Sequence, residues 1–138
     1  MAASFAAMKA PDKSVVIAEM VFPNQTNHYG TLFGGEALKL MDKAAFIAAS
    51  RCSRTAVVTA SLDKTDFREP VRHGELAEVI ARVVEQRNTS MVVETQLFSE
   101  DLLTGNRRLC SVSRFVMVAV DDTGRPTPIR LKGGTDQR

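Results

Sequence analysis

Only one stretch of this chain reads as a long helix, and the segments on either side of it read as strands. From Gly34 to about Ser53 the sequence is rich in Ala, Leu, Met and Lys, all good helix formers, and about 20 such residues extend roughly 30 Å. Ahead of it, Val15 to Val21 is a short apolar run ended by Phe22-Pro23. Behind it, Ala56 to Leu62, Leu76 to Val84, Met91 to Phe98 and Leu109 to Val120 alternate with period two. Their punctuation is short: Arg72-His73-Gly74, Arg87-Asn88-Thr89, Leu103-Thr104-Gly105-Asn106 and Asp121-Asp122-Thr123-Gly124. Connections of that length favour antiparallel neighbours over crossovers. A lone helix must bury its apolar stripe against the sheet. The expected fold is therefore α+β, one long helix wrapped by a five- or six-stranded antiparallel sheet. Val57, Val83, Val93, Val112 and Val116 are shared between the two sheet faces in a register that alternation alone leaves open. The face away from the helix needs a cover, and a partner subunit is the expectation.

With 138 residues, 44% apolar content and no low-complexity stretch, the chain fits one domain over 1–138 with its core at about 14–128. The start from Met1 to Ala10 has Phe5 and Met8 but no charge before Lys9, a poor signal peptide that reads as a loose terminus. The polar tail from Arg130, with Gly133-Gly134, reads as mobile. No run approaches the roughly 18 apolar residues of a membrane span, so no membrane partner is expected. The excess of 18 basic over 16 acidic residues is far from the dense basic stripe of a nucleic-acid binder. Cys52 and Cys110 lie far apart with no Cys-x-x-Cys or Cys/His spacing, which argues against a disulfide framework or a zinc site. Both read as reduced packing thiols, and a cytoplasmic protein is the expectation.

The segment leading into the helix has the layout of an active site. A polar loop from Pro23 carries Asn24, Asn27 and Gly30 as turn formers, closes on Gly34-Gly35 and runs into the helix. Glycine lets backbone approach a ligand closely, and the helix start leaves unpaired N–H groups and a partial positive charge. Such an end suits a carbonyl oxygen turning into an oxyanion.

One acid, Asp42, lies two turns into the helix. At 100° per residue with Ala37 at zero, Met41, Ala44, Ala45 and Ala48 fall between roughly −20° and +80°, and Lys39, Lys43, Glu36 and Ser50 between roughly 200° and 260°. Asp42 lands near 140°, at the edge of the apolar stripe, with Leu38 and Phe46 four residues to either side. A partly desolvated carboxylate there can serve as a base; a surface acid paired with Lys39 or Lys43 is the plainer alternative.

Other candidates are weaker. Asn27 could hold a water or a carbonyl through its amide, whereas His28 has no visible partner acid and carries less weight. Thr59 and Ser61 share one face of the first strand after the helix, as Ser111 and Ser113 do on the last, and Thr59 could line a polar pocket. No Gly-x-Ser-x-Gly elbow appears, which argues against an α/β-hydrolase triad. Lys64, Arg68, Arg72, Arg82, Arg87, Arg107, Arg108 and Arg114 recur through the strand half, with Asn88, Thr89 and Ser90 beside Arg87. Such a set suits phosphate, although each cation singly reads first as a solvated surface group.

The pattern Pro-x-x-x-Asn-x-x-Gly-x-x-x-Gly-Gly-x-x-x-x-x-x-Asp from Pro23 to Asp42 resembles the signature of hotdog-fold acyl-coenzyme A thioesterases. The resemblance continues in Val58-Thr59-Ala60, in Thr65-Asp66-Phe67-Arg68-Glu69-Pro70, in His73-Gly74-Glu75 and in the stretch from Ser99 to Gly105. These are similar to brain-type acyl-CoA hydrolases and their single-domain bacterial relatives. It implies a long helix wrapped by an antiparallel sheet, paired into a dimer with two sites at the interface and often assembled into a trimer of dimers. By the resemblance, Asp42 matches the catalytic carboxylate and Asn27 the catalytic asparagine, contributed by opposite subunits. Gly35 matches the residue whose N–H polarises the thioester carbonyl, beside Gly34. For the CoA part of the substrate it points to Arg87, Asn88, Thr89 and Ser90, with Lys64 or Arg68 as further phosphate contacts.

The reaction implied is hydrolysis of acyl-CoA with no cofactor and no metal. Asp42 acts as general base on a water held with help from Asn27, or attacks the carbonyl itself through a mixed anhydride. Two rivals stand beside it: a hotdog hydratase of acyl thioesters using His28 with an acid, and a non-enzymatic acyl-CoA-binding sensor, for which the chain has no helix-turn-helix reporter.

Overall fold

The computed structural model describes residues 13–129, so the loose start and the mobile tail read from the sequence lie outside the described residues. The elements run β1 (Val15–Met20), a 3-10 turn (Pro23–Gln25), α1 (Gly34–Ser53), β2 (Val57–Phe67), β3 (Leu76–Gln86), β4 (Ser90–Glu100) and β5 (Arg107–Ala119). The strands form one five-stranded sheet in the order β1-β3-β4-β5-β2, antiparallel throughout. β3, β4 and β5 form the meander that their short turns require. β2 crosses to the far side of β5 and leaves both first strands as edges.

Helix α1 lies on one face of this sheet. Ala44, Ala45, Ala48 and Ala49 are buried there, and side chains this small let the helix sit close to the strands. Facing them are Val79 and Ala81 of β3, Met91, Val93 and Leu97 of β4, and Phe115, Met117 and Ala119 of β5, all buried. Each fully buried Met or Leu contributes about 1.5–3 kcal/mol of transfer free energy. Val57, Val83 and Val93 fall on the helix side, whereas Val112 and Val116 fall on the other, opposite Gln96 and Val92. That outer face also carries ion pairs. Arg107 meets Glu78 and Glu100 and lies over the Phe98 ring at 4.2 Å, and Arg114 meets Glu94 at 3.4 Å.

Three expectations change. β2 does not stop at Leu62: it passes two bulges and runs on to Phe67. Asp63-Lys64-Thr65-Asp66 has turn composition, but Lys64 takes a φ of 58°, the Ser113 hydroxyl donates to Thr65 Oγ1 at 2.9 Å, and pairing resumes at Asp66 with Val112. Thr59 and Ser61 are on opposite faces, because the bulge between them adds one residue and flips the alternation: Thr59 pairs with Met117 and Ser61 with Val116. Of the two cysteines, only Cys110 is a buried packing thiol; Cys52, near the end of α1, is exposed with its Sγ 3.7 Å from Gln86 Oε1.

Candidate active site

The loop before α1 is held by its own polar groups and by the β2–β3 connection. The Asn27 side-chain oxygen accepts from Tyr29 N at 3.0 Å, Thr31 N at 3.1 Å and Thr31 Oγ1 at 3.2 Å. Two backbone donors fix which end of the amide faces inward, so the NH2 is the end left for other work. Gly30 closes the turn with φ 79°, donating to Asn27 O, and its own carbonyl accepts from His73 N at 2.9 Å. Leu32 N donates to Val71 O at 2.7 Å, and Thr31 bridges Arg72. The Asn-x-x-Gly spacing is therefore a folded turn that presents one amide NH2. His28 is exposed and stacks on Tyr29, ring centroids 3.9 Å apart, and no carboxylate is bonded to it among the described residues.

The helix start is open. Phe33 provides no side-chain cap, and the first helical bond is from Ala37 N to Phe33 O at 3.0 Å. The amides of Gly34, Gly35 and Glu36 are left as donors. Neither glycine has a positive φ. A methyl at Gly35 would meet nothing within 4 Å, and one at Gly34 would touch only the Phe67 ring at 3.8 Å. The fold of the chain does not require glycine at 35, and the space beside it is open.

Asp42 is half-buried, and its Oδ1 accepts from Thr59 Oγ1 at 2.6 Å. Among the described residues it forms no ion pair with Lys39 or Lys43, so the plainer surface-pair reading does not hold. Thr59 reaches it because it lies two residues after core Val57, in unbroken register opposite Met117, on the helix side of edge strand β2. Two exposed apolar side chains share this side of the sheet, Phe46 one turn further along the helix and Leu62 on β2, while Val58 is exposed on the other face of β2.

Next to the helix start is a cavity of about 400 Å³ lined by Leu32, Gly34, Ala37, Leu97 and the stretch 67–71. Alternation did not reveal it, because its walls come from a loop, a helix, a strand end and a connection. Arg68 and Lys64 lie at this end of the sheet. The Arg87-to-Ser90 turn joins β3 to β4 at the opposite end, beside the C-terminal end of α1, and there Arg87 is paired with Glu85 at 2.8 Å. Within one chain, then, the structure joins Asp42 to Thr59 and Gly34 to Phe67, and separates Arg87, Asn88, Thr89 and Ser90 from the Gly34–Phe67 end.

Comparison with known proteins places this layout. Residues 29–105 match the model of the Thioesterase superfamily. The chain belongs to that superfamily. It is 36% identical over 118 residues to the uncharacterized acyl-CoA thioester hydrolase YkhA of Bacillus subtilis, covering 86% of this chain and 69% of that protein. The thioesterase chain also superposes on an acyl-CoA hydrolase of Staphylococcus aureus, solved in complex with butyryl coenzyme A, coenzyme A and coenzyme A disulfide. That match has TM-score 0.81 and 32% identity, over 87% of this chain and 73% of that one. The S. aureus enzyme has also been solved with an aspartate, an asparagine and a threonine each replaced by alanine. An apo-hexameric acyl-CoA thioesterase matches with TM-score 0.83 and 38% identity, over 87% of this chain and 77% of that one. These neighbours have the hotdog arrangement of one helix on an antiparallel sheet, as this thioesterase does. No described helix is long and apolar enough to cross a membrane.

Proposed function

We propose that this thioesterase hydrolyses acyl-CoA to a free acid and CoA, at a site that two subunits build together. The observation that carries the two-subunit reading is a separation. Gly35 and Asp42 are seven residues apart on one helix, about 10.5 Å along its axis, whereas reacting groups must come within about 3–3.5 Å. A carbonyl bound at the Gly35 amide is therefore out of reach of Asp42 of the same chain, and the Asp42 of a partner must approach it. The exposed edge of β2, with Val58, Leu62 and the neighbouring Phe46, supplies an apolar surface for that partner. Relatives named as hexameric support assembly, and a trimer of such dimers is the proposed state.

In the proposed site Gly35 N–H and the positive helix end bind the thioester oxygen. The Asn27 NH2 donates to one lone pair of a water, leaving the other to attack. Asp42, held by Thr59, takes the proton of that water as its oxygen bonds to the carbonyl carbon. The tetrahedral intermediate collapses, the C–S bond breaks, and the thiolate recovers the proton from Asp42. No cofactor or metal enters the scheme. The residue types replaced in the S. aureus enzyme, Asp, Asn and Thr, are those of Asp42, Asn27 and Thr59, which supports this set. In a dimer the Arg87-to-Ser90 turn and Lys64 or Arg68 can come from different chains, and both are proposed as contacts for the CoA phosphates.

The experiment is thiol release from a panel of acyl-CoAs, followed by subunit mixing. Asn27→Ala and Asp42→Ala proteins, each inactive alone, regain about a quarter of the wild-type rate when unfolded and refolded together, because half the dimers are mixed and each has one intact site. No recovery, with mixed dimers present by mass spectrometry, places both residues in one chain's site instead.

A further inference from the structure

Resting on the acyl-CoA reading above, we infer that the cavity beside the helix start is the acyl pocket, and that Phe67 and Leu97 set the chain length it accepts. The cavity is reached from the oxyanion donor directly: Gly34, which lines it, precedes Gly35 in the chain. A carbonyl bound at Gly35 N–H has its acyl tail at the mouth.

The chemistry of the walls selects the ligand. Leu32, Ala37, Phe67, Val71 and Leu97 are apolar, and the two charged residues that also line the cavity face other charges: Arg68 lies 3.9 Å from Asp66, and Glu69 lies 3.9 Å from Arg108. A hydrocarbon tail finds a surface that gains from being covered.

Its dimensions are held on one side and adjustable on the other. The connection after β2 is stitched down by Arg68 N and Glu69 N to Cys110 O, by Arg108 to Pro70 O at 2.9 Å, and by Leu32 N to Val71 O. Leu97, 1% exposed, closes the inner end. Its cross-strand neighbour Ser111 is fully buried, with a hydroxyl that has no partner in the protein, so a longer tail meets packed core and an unsolvated hydroxyl. Phe67 is different. Half-exposed, it lies over Gly34 with its ring 3.8 Å from where a methyl would stand, so it walls the cavity without supporting the core.

The test is kcat/KM over saturated acyl-CoAs from two to sixteen carbons for the wild type, Phe67→Ala and Leu97→Phe, with a thermal melt of each. In the wild type, kcat/KM rises by up to about fourfold per added methylene until the cavity is full, then levels or falls. Phe67→Ala moves the optimum by about two carbons or more toward longer chains at an unchanged melting temperature. Leu97→Phe moves it shorter. Profiles that keep the wild-type optimum in both variants, or that fall by the same factor at every length, overturn the pocket assignment while leaving the thioesterase intact. Failure of the wild type to release thiol from any member of the series overturns the acyl-CoA reading itself, and the pocket with it.

Discussion

The two ends of helix α1 are built on opposite principles. At its C-terminal end Arg54 turns left-handed with φ 52° and its N–H returns to Ser50 O at 2.7 Å, Ser53 Oγ donates to Ala49 O, and Met91, Met117 and Phe115 fill the space below. Polar groups there have partners and the helix face against the sheet is covered. At the N-terminal end no side chain caps the helix and three amides lack carbonyls. Phe33 and Phe67 are half-exposed, a 400 Å³ cavity stands beside two glycines, and buried Ser111 lacks a bond. One end is finished within the chain; the other is left open. Stability and chemistry are separated along a single helix.

Substitutions at the two ends should therefore act on different observables. Asp42→Asn, an isosteric change on the functional side, lowers kcat by about 10²- to 10⁴-fold with little change in the melting curve. Met91→Ala at the finished end removes a fully buried side chain, costs about 2–5 kcal/mol by denaturant titration and leaves the rate per folded molecule near wild type. If the two swapped signatures, the division of labour would fall. Gly35→Ala is a finer probe. Its methyl meets nothing in the chain, so folding stability rises by roughly 0.5–1 kcal/mol as helix propensity improves, while kcat/KM drops because the methyl stands where the substrate approaches. A stabilised and fully active Gly35→Ala protein would remove the clearance argument.

The smallest effect concerns the turn after β5, at the finished end. Bonds from the Thr123 hydroxyl and from the backbone amides of Arg125 and Thr123 hold the Asp121 carboxyl below its usual value. A depressed acid stabilises the fold above its unfolded pKa and stops doing so as pH falls through the folded value. Asp121→Ala should accordingly lower the melting temperature slightly at neutral pH and not at all in acid below the folded value. A deficit that persists in strong acid would mean that the turn's shape, and not the carboxylate, is what matters.

The fold was largely legible because periodicity and turn chemistry are local. The limits of the helix from Gly34 to Ser53 match the reading, and each expected strand is present. The errors fall where a local rule was overridden from a distance. Asp63 to Asp66 has turn composition, yet remains strand because Ser113 and Val112 hold it; Thr59 and Ser61 part company because of one bulged residue. In the site, Asp42 could be placed at the edge of the apolar stripe by rotation alone. The bond from Thr59 could not be foreseen, since it depends on where the helix lies across edge strand β2. Arg87 to Ser90 looked adjacent to nothing in particular, and only topology shows this turn to lie at the far end of the sheet from the cavity.

The sequence by itself determined the order of elements, the one helix, and the loop that delivers Asn27 and Gly35, because backbone preference and alternation are encoded within a few residues of each other. It also carried the family, through a run of motifs in order. Tertiary structure alone decided that Asp42 binds Thr59 and not a lysine, that glycine at 35 serves no contact of its own chain, and that Leu32, Phe67 and Leu97 enclose one cavity. Those outcomes depend on register, bulges and distances between segments far apart in the chain, and no pattern of neighbouring residues specifies them.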